Sequence, residues 1–494
     1  AAAPQCVVFF NGQYAGRNTD AMLPLTVDVT GMAHAGNNEL AVLIMDYERD
    51  ARGRTLTPSG NFLTANIRGI WQNVWLVERS ELYVSDVIIR TSTRTKTLAA
   101  CVTVANDAHA VRMVTCAAVV TPWRKGRAPF GTRAVLALGR RTLAVPPCST
   151  ATVVFEACWP RAQWWAPEHP ALYWLRTRLD AMGHECDLHA ERFGFREVWL
   201  DGPHLMLNDH PIHLFSDWGH KVTPFHHTEA WIRQWFGMLR DAHMNHTRLH
   251  THPHLPLTLD IADEEGILIT GETGIHGSGA NQAADTPAFW DHARDHIRRF
   301  VQCDKNHPSL ILWSVENEMR WNRDTTTLAR EELPKLRALF NVLDPTRPAY
   351  HEGDSSLWNE RTQPLISRHY NKECSGLGWW QRTQPLHSGE MALYHYAGPN
   401  NTCHLAGDEA WADYCAVSRA AATDAALIIE AGRTLDVCCF GPWNLSCLEN
   451  LRMDARTIVW HILTIRSRAS NLCSSSPILP NSNSGNAAKA TRRS

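Results

Sequence analysis

Ser309–Glu318 reads SLILWSVENE, an apolar strand-like run that stops abruptly on Glu316, Asn317 and Glu318. The same pattern recurs on either side of it. Beyond Pro203, short apolar runs alternate with amphipathic stretches such as TEAWIRQWFGMLRDA (228–242) and FWDHARDHIRRFVQCD (289–304), whose apolar residues follow the helical period. Eight candidate strands can be placed: HLFSD (213–217), HTRLHTH (246–252), ILITGE (267–272), SLILWSVE (309–316), PAYHE (348–352), PLISRHY (364–370), LHSGEM (386–391) and VCCFGPW (437–443). Eight strands alternating with helices over roughly 250 residues predict a closed parallel (β/α)8 barrel.

Upstream the text is different. From Val7 to about Val77 it alternates short β-rich runs with Asn/Gly punctuation: VVFFNG, LTVDVTG, GNNELAVLIM and RGIWQNVWLVE. From Tyr83 to about Leu200 the runs YVSDVIIRT, AACVTVAND and ATVVFEACW carry the turn spacing of a β-sandwich. After Leu451 the pattern fades into SNLCSSSPILPNSNSGNAAKATRRS, too rich in Ser and Asn to build a core. With 494 residues the chain is too long for one core, and its 44% hydrophobic and 20% charged residues are those of a globular protein.

The balance of charge narrows the partners. A formal net charge of -2 provides no field to hold a polyanion, so neither nucleic acid nor an anionic membrane surface is expected. No apolar stretch of about twenty residues exists, and the opening AAAPQ, without a basic region or an initiating Met, reads as a truncated or processed start. The 14 Cys include no C-x-x-C pair, and vicinal Cys438 and Cys439 cannot bridge without strain, so neither a zinc site nor a disulfide framework is signalled. No cofactor and no metal is expected. Twenty Trp against nine Tyr suits a cleft that stacks flat apolar faces on a sugar, although core packing accounts for most of them.

A parallel barrel presents its chemistry at the C-terminal ends of its strands. Those ends carry Arg248 and His252, Glu272, Glu316 to Glu318, and Glu390. Glycoside hydrolysis needs two carboxyl groups flanking the scissile bond, one protonated to assist the leaving oxygen and one ionised to attack. Glu318 and Glu390 are the predicted pair. A rival reading takes His250 and His252 as an H-x-H metal motif of a barrel hydrolase, although the later strand ends offer Glu rather than further His and Asp ligands.

NHPSLILWSVENE, from Asn306 to Glu318, resembles the acid/base motif of glycoside hydrolase family 2, in which an NHPS segment leads into a W-S-x-x-N-E strand. The resemblance implies that Glu318 is the acid/base and that Asn317 binds the substrate's 2-hydroxyl. RLHTHPH resembles the family's R-x-S-H-Y-P segment, ADEEGILITGE its C-D-E-x-G-x-x-V-x-x-E segment, and PLHSGE its K-P-x-x-x-x-E nucleophile strand, which brings in Arg248, His252, Glu272 and Glu390. On the same basis His369 and Tyr370 touch the nucleophile and Trp443 floors the terminal-sugar subsite. RGIWQNVWLVE resembles the end of the family's jelly roll, whose first strands are then missing, while WWAPEHPALYWL and RFGFREV resemble the sandwich and its exit into the barrel.

The resemblance implies a partial sugar-binding jelly roll (1–80), an immunoglobulin-like sandwich (81–200) and a catalytic TIM barrel (201–452), and composition adds a disordered low-complexity tail (453–494). It implies a retaining, exo-acting β-glycosidase acting on an oligo- or polysaccharide, with β-galactoside favoured. The alternative outside enzymology is a carbohydrate-binding remnant of the family. HLFSDWGHK and MALYHY depart from the family's β-galactosidases. As acid, Glu318 is expected to have a pKa raised toward neutrality by Glu390 and by burial beside Trp313 or Trp443.

Overall fold

The computed structural model describes residues 1–60, 68–219, 227–277, 281–319, 327–358, 362–369, 380–391 and 407–442. All eight predicted barrel strands form: β1 Leu214–Gly219, β2 His246–Leu249, β3 Leu268–Glu272, β4 Leu310–Asn317, β5 Ala349–Glu352, β6 Ile366–His369, β7 Leu386–Met391 and β8 Cys439–Pro442. They make one sheet in the order β5-β4-β3-β2-β1-β8-β7-β6, each pair parallel. The barrel is nearly closed. Asp354, just past the end of β5, forms an isolated bridge with Arg368 of β6.

Helices α1 Glu229–Asp241, α2 Pro256–Glu265, α3 Pro287–Asp304 and α4 Thr327–Leu343 follow β1 to β4, and α5 Tyr414–Thr434 precedes β8. The α1 helix starts where the Thr228 side chain accepts from the Trp231 N–H, and it turns Ile232, Trp235, Phe236 and Leu239 inward. The α2 helix stops at Gly266, whose φ of +73° suits glycine and whose Cβ position lies 2.1 Å from the Pro167 carbonyl oxygen. Trp313 on β4 points outward to this layer, stacked on Phe340 with centroids 5.3 Å apart and edge-on to Phe300. It therefore sits on the helix side of the sheet and not beside Glu318, contrary to expectation, because side chains alternate along a strand.

Ahead of the barrel, a three-stranded sheet (Leu82–Ser92, Thr97–Asn106, Ser149–Cys158) faces a four-stranded one (Arg112–Pro122, Leu136–Val145, Leu172–Ala181, His184–Gly194), all antiparallel. Leu98, Val102, Phe155, Val114, Leu175 and Phe193 fill the space between them. This is the three-plus-four arrangement of an immunoglobulin-like sandwich. At the start of the chain, Gln5–Phe10 pairs with Gln13–Asn18 and Leu40–Met45, the first hairpin turning on Asn11 and Gly12, both at positive φ.

Two runs read as strands behave otherwise. LTVDVTG is not a strand, and of RGIWQNVWLVE only Gly69–Ile70 pairs, with Ala2–Ala3. Val74, Trp75, Leu76 and Val77 are exposed, since among the described residues no neighbouring strand takes up their backbone groups.

The first half of the NHPS motif is a joint between sandwich and barrel. Asn306 accepts from the Ile89 N–H at 3.0 Å and donates to the Val87 carbonyl at 2.8 Å and to Glu191 at 3.0 Å. His307 Nδ1 lies 2.6 Å from Asp263 Oδ2, and the Ser309 N–H donates to Asp263 Oδ1. Immediately after this anchor the chain enters β4. A second joint ties the first 60 residues to the loop after β3: Asp20 bonds His296 of α3, His296 Nε2 accepts from the Gly274 N–H, and the Gly60 N–H donates to the Gly274 carbonyl.

Candidate active site

The strand ends converge as the barrel geometry requires. Arg248, Glu272, Asn317 and Glu352 are each 0% exposed, and Glu390 is 1% exposed, so their charges have to be satisfied by one another. Arg248 does most of this. Its Nη1 donates to Glu272 and, at 3.0 Å, to Asn317 Oδ1; its Nη2 donates to Glu390 Oε1 at 2.6 Å; its Nε lies 3.8 Å from Glu352 Oε2. Burial opposes the guanidinium charge, but the surrounding Glu272, Glu352 and Glu390 hold its pKa well above the usual range.

Of the glutamates at the end of β4, two are buried for different reasons. Glu316 Oε2 accepts from the Met319 N–H, and burial together with Asp354 pushes its pKa well above the usual carboxylate range. Glu318 faces the cavity at a φ of +52°, a conformation a glutamate holds only when its surroundings impose it. Its N–H donates to the Glu352 carbonyl and its Oε1 lies 2.7 Å from His369 Nδ1.

His369, from β6, completes the group. Its Nδ1 is also 3.4 Å from Glu390 Oε2, and its Nε2 is 2.8 Å from Glu352 Oε1. One carboxylate oxygen of Glu318, one of Glu390 and a ring nitrogen of His369 all lie within 4.8 Å of one another. Burial disfavours the imidazolium, yet Glu390, Glu318 and Glu352 raise its pKa well above the ordinary value. The reciprocal effect falls on Glu318. Burial alone would raise its pKa, but the bond from His369, with His276 and Arg248 behind it, lowers it. The expectation of a raised Glu318 is therefore corrected, because a cation on β6 outweighs the neighbouring carboxylate.

Arg248, Glu272, Asn317, Glu318, His369 and Glu390 thus form one connected buried cluster. His252 does not join them: its Nδ1 bonds the Pro253 carbonyl, and burial lowers its pKa to about 4. The neighbouring His250 comes closer, its Nδ1 3.7 Å from Glu390 Oε1. His250 and His252 thus turn to different partners and do not converge as a metal pair. Tyr370 and Trp443 lie outside the described residues, as does the 453–494 tail. Glu352 was missed by the sequence reading although PAYHE ends on a Glu just as its neighbours do, and His276, whose Nδ1 is 3.2 Å from Asn317 Nδ2, sits in a loop that no strand pattern marks.

Comparison with known proteins matches residues 219–386 to the family model described as "Glycosyl hydrolases family 2, TIM barrel domain" and residues 82–196 to "Glycosyl hydrolases family 2". A β-galactosidase of Enterobacter cloacae is 27% identical over 369 residues, covering 69% of this chain and 32% of the relative, and a second β-galactosidase of that organism is 26% identical. The chain spans about a third of the length of these curated relatives, 32%. Bacteroides uniformis β-glucuronidase 2, covalently bound to cyclophellitol-6-carboxylate aziridine, superposes with a TM-score of 0.70 at 19% identity, over 90% of this chain and 56% of that one. The β-galacturonidase of Eisenbergiella tayi bound to galacturonate gives 0.66 at 20% identity, over 90% and 78%.

Proposed function

Because the chain belongs to glycosyl hydrolase family 2, we propose that it is a retaining, exo-acting β-glycosidase, with Glu390 as nucleophile, Glu318 as acid/base and terminal β-galactosides as the favoured substrate. The observation that carries this reading is the approach of Glu318 and Glu390 oxygens to within 4.8 Å. It supports retention, which uses carboxyl groups about 5 to 5.5 Å apart, over inversion, which needs about 6.5 Å or more to admit a water.

In the first step Glu390 attacks the anomeric carbon while the glycosidic oxygen receives a proton from Glu318. In the second, Glu318 takes a proton from water and the covalent ester to Glu390 is released. Arg248 Nη2 on Glu390 Oε1 orients the nucleophile and leaves Oε2 toward His369 and the cavity. Asn317, which Arg248 and His276 hold, takes in this reading the role of meeting a sugar hydroxyl. The preference for galactoside rests on the β-galactosidases to which the sequence is similar. Arg248 is engaged by Glu272, Asn317 and Glu390, so it is not offered to a C6 carboxylate.

A panel of p-nitrophenyl β-galactoside, β-glucuronide, β-mannoside and β-glucoside tests the substrate, and a tenfold preference for the glucuronide in kcat/KM overturns the galactoside assignment. Glu390→Gln should cut turnover by at least about 10³-fold with sugar affinity nearly kept. If the unmutated chain hydrolyses none of the four yet a sugar raises its Tm, the carbohydrate-binding reading replaces this one.

A further inference from the structure

A glycosidase of this kind needs its acid/base to carry a proton when the leaving oxygen departs, yet Glu318 lies against the His369 ring, which lowers its pKa. The geometry says where the proton sits. His369 Nδ1 is 2.7 Å from Glu318 Oε1 and its Nε2 is 2.8 Å from Glu352 Oε1. A ring whose two nitrogens both face carboxyl groups at hydrogen-bond distance can carry a proton on each. The site is also built around this ring. A Cβ on Gly353 would lie 2.7 Å from His369 Nδ1, and one on Gly389 would lie 3.2 Å from Nε2 and 1.9 Å from Glu352 Oε1. Glycines on β7 and just after β5 therefore leave room for the His369–Glu352 pair, and His369 is 4% exposed.

We propose that His369 stores the proton that Glu318 delivers, so that the working acid is the Glu318–His369 couple. This rests on the roles given above to Glu318 and Glu390. In the first half-reaction the Nδ1 proton passes to Glu318 and from it to the glycosidic oxygen as the C1–O bond breaks and the bond from C1 to Glu390 forms. Neutral His369 keeps its Nε2–H on Glu352. In the second half-reaction water attacks C1, the bond to Glu390 breaks, and the water's proton returns through Glu318 to Nδ1. One water is consumed and one glycosidic bond is cleaved. Timing follows from charge: Glu390 is, after burial, the largest influence on the histidine, so esterification of Glu390 removes the charge that favours the imidazolium at the moment the proton is needed. Among the described residues, the charged and titratable groups facing the ring include Glu318 just after β4, Glu352 on β5, Glu390 on β7, and, through the two last, Arg248 on β2 and His387 on β7.

The test is a leaving-group series on His369→Gln, with a Tm measured alongside. With phenyl β-glycosides, whose departure needs a proton, kcat/KM should fall about a hundredfold, and with 2,4-dinitrophenyl β-glycosides, whose departure does not, by less than about fivefold. The basic limb of the phenyl profile should move to lower pH, because the proton then resides on Glu318 alone. Equal losses on both substrates with an unmoved limb overturn the proposal and leave His369 a packing residue. An independent reading comes from histidine 15N NMR on the unmutated chain, with His369 identified by its loss in the variant. A doubly protonated ring at pH 8 is the expected result, and a neutral one overturns the proposal even where the chain is an active glycosidase. Inactivity of the unmutated chain toward every aryl β-glycoside instead refutes the functional reading itself.

Discussion

At the scale of single residues, Arg248 and His369 are the partners set among four buried carboxyl groups, Glu272, Glu318, Glu352 and Glu390. Glu272 is the one whose pKa stays raised despite its bond from Arg248. Burial pushes its carboxyl up to about 8, with Glu352 adding to the effect and Arg248 only partly countering it. A group raised in the folded state contributes stability that is complete below its unfolded pKa, near 4.5, and is lost as pH rises through about 8. Stability to urea should therefore fall between those values by roughly a few kcal/mol. Glu272→Gln, which keeps the shape but cannot ionise, should flatten that decline, and an unchanged pH slope in the variant would show that Glu272 is ionised throughout. Glu316 illustrates the converse. Two residues before Glu318, it has its pKa raised by burial and Asp354, whereas the bond from His369 lowers that of Glu318.

At the scale of elements, β4 owes its position to what precedes it. Asn306 makes three hydrogen bonds across to the sandwich strands, and His307 and Ser309 both hold Asp263 at the end of α2. A motif that reads as an acid/base marker is thus half anchor and half chemistry. Asn306→Ala should lower stability by about 1–3 kcal/mol, since it leaves the Ile89 N–H and the Val87 carbonyl unpaired, and activity should fall only as far as the fold does. Burial works against the charge on His307, but Asp263 raises its pKa to about 9. The stabilisation is complete below about 6.5 and is lost as pH rises through about 9. A pH series of Tm should show that alkaline loss in the unmutated chain and not in His307→Gln; the same loss in both would place its origin elsewhere.

At the scale of the whole molecule, the first 60 residues are coupled to the barrel through Asp20, whose carboxylate reaches His296 and, through it, the loop that pairs with Asn317. Burial opposes the Asp20 charge, but His296 and then Arg299 lower its pKa to about 2. Its contribution is present above 3.8 and lost as pH falls through about 2, so Asp20→Asn should lower stability by roughly 2 kcal/mol at neutral pH and by little at pH 2. A neutral-pH Tm unchanged in the variant would mean that the joint is held by backbone bonds alone. The sequence by itself determined the eight barrel strands, because each is an apolar run long enough to be recognised locally, and it determined Glu318, Glu390, Arg248, Glu272, Asn317 and His369 as strand-end groups, because a parallel barrel gathers such ends. It also overstated the order of residues 71–80, where an apolar alternation needs a partner strand before it becomes a strand. Only the tertiary structure decided in which direction each carboxyl group is shifted. Glu316, Glu318 and Glu352 read alike in the text, and beyond burial their opposite pKa shifts come from neighbours contributed by other parts of the chain: Asp354 for the first, His369 for the second, and His387, then Arg248 and His369, for the third. Electrostatic energy depends on distance through space, and closing the barrel brings β2, β4, β5, β6 and β7 within one cavity although their residues are up to 142 positions apart.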